Sequence, residues 1–261
     1  MLPPTIRSLI LDMDGVLWKA DSPIGDLPAI FQRIKTLGIS VAFATNNSMR
    51  TPEQYVERLA GFGVPIQAAQ VLTSALAMAI LLKEHLSPGA PVFVIGEDGL
   101  LSAVSEQGFR LLPLEEAEKA QAVIMGIDRK INFEKMREAT LLVNRGIPFF
   151  ATNPDKTFPT PRGEIPGAGA WISVIQTATD KAPIYAGKPA PHLLEYARQR
   201  LGTSRAETLV VGDRLETDIA GGQAAGMPVA LVLSGVSTGT EARSWQPAID
   251  FVASDLAELI G

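Results

Sequence analysis

Apolar runs about four to seven residues long alternate along the chain with amphipathic stretches of about ten to fifteen, the rhythm of buried strands joined by helices. The clearest strands are predicted at Ser8 to Asp12, Ser40 to Ala44, Pro91 to Ile95, Ala122 to Met125, Pro148 to Ala151, Thr208 to Val211 and Val229 to Leu233. Between them, Thr51-Pro52-Glu53 has the N-cap, first-turn proline and acidic residue that open a helix, and Asn132 is placed to cap a helix over Phe133 to Asn144. Short crossovers of this kind give a parallel sheet, so the expected fold class is α/β, with ligands collecting at the carboxyl ends of the strands. One echo runs inside the chain: Gly38-Ile39 leads to Phe43-Ala44-Thr45-Asn46, and Gly146-Ile147 leads to Phe150-Ala151-Thr152-Asn153. Without a fixed repeat period, recurrence by chance is the favoured reading, and two Thr-Asn pairs lining a site is the other.

A chain of 261 residues admits one large domain or two moderate ones, and two is the preferred reading. Hydrophobic residues at 46% and charged residues at 20% suit a globular protein with a sizeable core. The net charge of −5 supplies no positive field for nucleic acid or acidic lipid, so neither is expected as a partner. Met1 to Arg7 lacks the basic start and apolar core of a signal peptide, and no run approaches the roughly 20 apolar residues of a membrane span. A cytoplasmic location is the expectation. There is no cysteine, and the only histidines are His85 and His192, which excludes disulfides and thiolate nucleophiles. Both histidines suit surface or capping roles, which leaves carboxylates, hydroxyls and lysine to carry the chemistry.

Four segments carry candidate chemistry, three of them at strand ends. Ser8 to Leu11 runs into Asp12-Met13-Asp14-Gly15, and an extended strand would point both carboxylates to one side, where a hard cation would relieve their repulsion. Leu209-Val210-Val211-Gly212-Asp213 ends a second strand and leads to Asp218 in the next helical turn, where it can act from behind a metal site. Thr45-Asn46-Asn47 offers a hydroxyl and amides that can grip phosphoryl oxygens. Lys188 lies between Gly187 and Pro189, on a constrained backbone. Each has a plainer alternative: turn-capping aspartates, an Asx turn at Asn46-Asn47, a solvated lysine. No Gly-x-x-x-x-Gly-Lys-Ser/Thr loop is present, so Lys188 is not part of a nucleotide P-loop.

In this order the segments resemble the four motifs of the haloacid dehalogenase superfamily. More narrowly, DMDGVLW, FATNNS, ATNPDKTFPTPRGEIPGAGA, AGKPAP and VVGDRLETDIAGG resemble its NagD-like and 4-nitrophenylphosphatase-like subfamily, which carries a type IIA cap. The resemblance covers nearly the whole chain. It implies a Rossmann-like core over 1–76 and 183–261, interrupted by an α/β cap over 77–182. Thr45, not Thr152, then takes the second-motif role, and the cap loop Asn153 to Gly163, with Lys156, Thr157 and Phe158, covers the site and biases substrate choice.

The same resemblance implies a Mg²⁺-dependent phosphatase that forms an aspartyl phosphate. Asp12 would be the nucleophile and Asp14 the acid that protonates the leaving oxygen and later activates water. Mg²⁺ would be held by Asp12, Asp213 and the main-chain carbonyl of Asp14. Thr45, Asn46, Asn47 and Lys188 would grip phosphate oxygens, and Asp218 would act from the second layer. The expected partner is a small-molecule phosphate ester, and similar capped enzymes often pair through the cap, which offers a second copy of the chain as another. Two alternatives belong to other classes: a phospho-accepting receiver-like signalling domain, disfavoured by the Asp12-x-Asp14 spacing and the inserted cap, and a catalytically silent binding protein of the same fold.

Overall fold

The computed structural model describes residues 2–160 and 162–261, so Met1 and Pro161, which falls in the expected loop 153–163, lie outside the described residues. In chain order the main strands are β1 (Ser8–Leu11), β2 (Ser40–Thr45), β3 (Val71–Thr73), β4 (Pro91–Ile95), β5 (Arg110–Leu111), β6 (Ala122–Met125), β7 (Phe149–Ala151), β8 (Ile184–Tyr185), β9 (Thr208–Gly212), β10 (Val229–Val232) and β11 (Phe251–Ala253). Each of the strands expected from the apolar runs is present, with ends shifted by a residue at most. The four not anticipated, β3, β5, β8 and β11, are two or three residues long, too short for a periodic signal.

The chain divides into two compact units. The first comprises Met1–Thr45, Pro52–Leu72 and Lys188–Gly261. Its six-stranded sheet has the order β11-β10-β9-β1-β2-β3, with β1 paired in parallel to both β9 and β2. β1, β9 and β10 are buried along their whole length, which explains why they read as continuous apolar runs and not as alternating ones. Leu9, Leu11, Phe43, Leu209 and Val211 meet helix residues Ile30, Ile34 and Leu259 in its core.

The second unit comprises Asn46–Thr51 and Thr73–Gly187. Its five-stranded sheet has the order β8-β7-β6-β4-β5, with parallel pairing throughout. Helix Phe133–Asn144 begins at Asn132 as expected, the Asn132 side chain accepting the Lys135 amide at 3.0 Å. An antiparallel hairpin joins Thr157–Thr160 to Gly163–Pro166. The span 77–182 read as a cap lies inside this unit, whose borders fall elsewhere for local reasons. Thr73 caps helix Ser74–His85 by accepting the Leu76 amide, so the unit opens before Ala77. At the other end, β8 pairs with β7 and keeps the chain in the unit as far as Gly187.

Candidate active site

In the first unit, Asp12 and Asp213 at the carboxyl ends of neighbouring strands come together with Asp218 and Lys188. β1 stops at Leu11, and the Asp12 amide makes one further bond to the Val211 carbonyl, 2.9 Å. Asp213 follows the end of β9, and the buried Thr45 ends β2. Lys188 is buried, and its Nζ donates to Asp12 Oδ1 at 2.6 Å, Asp218 Oδ1 at 2.6 Å and the Ala44 carbonyl at 2.9 Å. These acceptors match the three donors of an ammonium group, so the solvated-lysine reading is set aside.

Asp213 is held by one oxygen only. Its Oδ2 accepts the Val236 amide at 2.8 Å, while the buried Oδ1 has no hydrogen-bond partner among the described residues. Asp218 lies on a π-helical turn, Leu215–Ile219, and its Oδ2 accepts the Arg214 amide at 3.1 Å. Two glycines make this density possible. A Cβ on Gly212 would lie 2.1 Å from the Asp218 Cβ, and Gly15, at φ +85°, would place one 2.4 Å from Asp213 Oδ2.

Oxygens of Asp12, Asp213 and Asp218 lie within 4.8 Å of one another, so one lysine faces three carboxylates. Burial raises the Asp12 pKa well above the usual carboxylate range, the Lys188 charge opposes that rise, and Asp218 and Asp213 add to it. Burial, followed by repulsion from Asp218, pushes Asp213 up to about 7. Burial works against the Lys188 charge, but Asp12 and Asp218 outweigh it and hold the ammonium above its ordinary value. An unpartnered buried carboxylate oxygen beside two further carboxylates is a hard, oxygen-only, negatively charged donor set, which fits a divalent cation such as Mg²⁺.

Asp14 stands apart from this group. Its side chain is exposed, and Oδ1 accepts the indole N–H of Trp18 at 2.7 Å. The Gly15 amide donates to the Trp18 carbonyl and the Leu17 amide to the Met13 carbonyl, closing the loop after Asp12 into a tight turn. Sequence reasoning missed Trp18 as a partner of Asp14. The four-residue spacing in DMDGVLW was its only trace.

Asn46, Asn47, Lys156, Thr157 and Phe158 belong to the second unit. There the Asn46 carbonyl accepts from Ser74 Oγ at 2.6 Å and Asn153 Nδ2 at 2.7 Å, and its side-chain amide donates to the Asp155 carboxylate at 3.2 Å. The two Thr-Asn segments of the internal echo are thus joined by a hydrogen bond, which chance recurrence did not anticipate. Asn47 Oδ1 accepts the Met49 amide at 2.9 Å, the Asx turn foreseen as its plainer role. Lys156 is exposed ahead of the hairpin, and Thr157 and Phe158 are half-buried in its first strand, opposite Pro166 and Ile165. His85 lies exposed at the end of its helix with its ring 5.2 Å from that of Phe150 and inclined to it at 63°, and His192 opens helix His192–Leu201.

Residues 9–110 match the family model of haloacid dehalogenase-like hydrolases, and residues 185–259 match a HAD-hydrolase-like model, together more than half of the chain. The chain belongs to the haloacid dehalogenase-like hydrolases. Among relatives of this haloacid dehalogenase-like hydrolase, the 5'-nucleotidase YutF of Bacillus subtilis is 37% identical over 89% of each chain. The solved structure of a p-nitrophenyl phosphatase from Archaeoglobus fulgidus is 33% identical, covers 98% of both chains and superposes with a TM-score of 0.90. The glycerol phosphate phosphatase of Mycobacterium tuberculosis in complex with magnesium is 35% identical over 99% of this chain and 78% of its own, also at 0.90.

Proposed function

We propose that this phosphatase hydrolyses a small phosphate monoester in two displacements at Asp12, with Mg²⁺ as its cofactor. The observation that carries the reading is the part-buried Asp12 carboxylate, 2.6 Å from a buried, fully engaged lysine and beside an unpartnered oxygen of Asp213. An aspartate that only capped a turn would need neither. Its relatives over most of the chain are named as a 5'-nucleotidase and as phosphatases, one of them in complex with magnesium, which supports turnover over a phosphorylated switch or a silent binding protein.

In this reading Asp12 attacks phosphorus as the ester oxygen departs, and water then attacks the aspartyl phosphate and frees the carboxylate. Lys188 offsets the repulsion between the Asp12 carboxylate and the incoming phosphate, and Asp218, bonded to the same Nζ at 2.6 Å, keeps that ammonium in place. Asp14 gives a proton to the leaving oxygen and takes one from the attacking water. Thr45, which ends β2 in the same unit as Asp12, holds a further phosphoryl oxygen. Bound Mg²⁺, held by Asp12, Asp213 and the Asp14 main-chain carbonyl, supplies positive charge for the transferring group. Nucleotide, aryl phosphate and glycerol phosphate, the substrates named for the relatives, are all monoesters. No helix among the described residues is long and apolar enough to cross a membrane.

The test is turnover of 4-nitrophenyl phosphate with Mg²⁺, its loss on chelation, and its loss in Asp12→Asn. Breaking a buried ion pair often costs about 3–5 kcal/mol because a charge is stranded. Here Lys188 keeps Asp218 and the Ala44 carbonyl, and one source of repulsion disappears, so Asp12→Asn should melt no lower than the metal-free wild type. A folded Asp12→Asn that keeps more than about a few percent of the wild-type rate takes Asp12 out of the nucleophile role.

A further inference from the structure

We infer that Trp18 is a positioning residue for the reaction: its indole N–H holds one oxygen of Asp14 and leaves the other aimed for proton transfer. The inference rests on the reading of Asp14 as proton donor. Its basis is a 2.7 Å hydrogen bond from Nε1 to Oδ1, made by a side chain that is wholly buried to a carboxylate that is exposed. Asp14 Oδ2 has no hydrogen-bond partner among the described residues. An exposed aspartate on a loop ordinarily samples several rotamers, and one hydrogen bond from a fixed donor restricts it to few.

The donor is fixed from several sides. Trp18 stacks on Tyr55 at 6.4 Å between centroids with 15° between the planes, and Phe62 packs against it at 6.0 Å. The Arg58 guanidinium sits 4.4 Å from the ring centroid, is itself hydrogen-bonded to the Ala20 carbonyl and lies 3.9 Å from Asp21. A cation over the face withdraws π-density from the indole and makes its N–H a better donor. The backbone fixes the loop independently of the side chain, through Gly15 N–H to the Trp18 carbonyl at 2.7 Å and Ser234 Oγ to the Gly15 carbonyl at 2.7 Å. The indole bond is therefore available to orient Asp14 and is not required to close the turn. A buried tryptophan N–H generally finds an acceptor, and a neighbouring backbone carbonyl would have sufficed; here the acceptor is the carboxylate assigned to proton transfer.

The experiment replaces Trp18 with 3-benzothienylalanine, which keeps the ring and its packing but has sulfur where the N–H was, with Trp18→Phe as a second variant and Asp14→Asn in parallel. Melting temperature and circular dichroism check the fold. Single-turnover rates are then compared for an alkyl phosphate, whose leaving oxygen needs a proton, and 4-nitrophenyl phosphate, whose leaving group needs little help. The expected result for both Trp18 variants is a fall of about tenfold with the alkyl ester and less than about twofold with the aryl ester, a smaller copy of the Asp14→Asn pattern. A merely structural role would slow both esters equally. The indole Nε1–H NMR signal assigned through Trp18→Phe should also move upfield in Asp14→Ala. If Asp14→Asn discriminates between the esters and the Trp18 variants do not, Trp18 does not position Asp14. If Asp14→Asn fails to discriminate, the proton-donor assignment fails and the inference falls with it.

Discussion

At the scale of single residues, Asp213 is where the metal reading becomes measurable. A carboxylate with a pKa of about 7 in the folded protein, against about 4 unfolded, binds its proton more tightly folded than unfolded. In the metal-free protein the stability this brings is complete below about pH 4 and is lost as pH rises through about 7. A divalent cation competes with that proton and relieves the repulsion left by its departure. The rise in Tm on adding Mg²⁺ should therefore be small at about pH 5, grow through about pH 7 and level off above about pH 8. In Asp213→Asn, which has no proton to lose, the metal-induced rise should be largely gone and its pH profile flat. An equal Mg²⁺ effect at both ends of the range in the wild type would contradict the account. Asp12 and Asp213 stood out in the sequence because carboxylates directly after apolar strands in a parallel sheet have few purposes, and Lys188 stood out by its constrained place between Gly187 and Pro189. The Trp18 bond to Asp14 was not, since it depends on a loop folding back on itself, and strand geometry said nothing of that.

At the scale of elements, long buried strands announce themselves by composition, whereas β5 and β8 are defined by their hydrogen-bonded neighbours and carry no pattern of their own. The same limit explains the domain borders. Asn46–Thr51 follows a strand of the first unit in sequence, yet Ser74 and Asn153 hold the Asn46 carbonyl in the second, and hydrogen bonds over such sequence distances leave no local trace. The segment from Asn153 was read as a loop, and its middle is a hairpin in which Thr157 faces Pro166 and Phe158 faces Ile165. A hairpin presents side chains at fixed spacing, which suits a role in substrate choice. Replacing Lys156, Thr157 and Phe158 together with alanine should reorder a panel of nucleotide, sugar, glycerol and aryl phosphates by about tenfold in relative kcat/KM, the range that changed pocket contacts usually give. Mg²⁺ affinity should not change, because the proposed ligands lie in the other unit. An unchanged ranking would remove this hairpin from specificity.

At the scale of the whole molecule, a chain that leaves its first unit after Thr45 and again between Leu72 and Lys188 gathers its carboxylates and lysine from positions as far apart as 12 and 218. On the proposed reading that gathering makes one reaction centre, and its central consequence is that turnover would pass through a covalent phosphoenzyme. The direct measurement is rapid acid quenching of single turnovers with ³²P-labelled substrate, followed by borohydride reduction and peptide mapping. The expected label rises and decays within the turnover time, resides on Asp12, is lost to hydroxylamine as an acyl phosphate should be, and accumulates with the aryl ester in Asp14→Asn. Substrate consumed in full with no labelled protein at any time, or label on a residue other than Asp12, would contradict it.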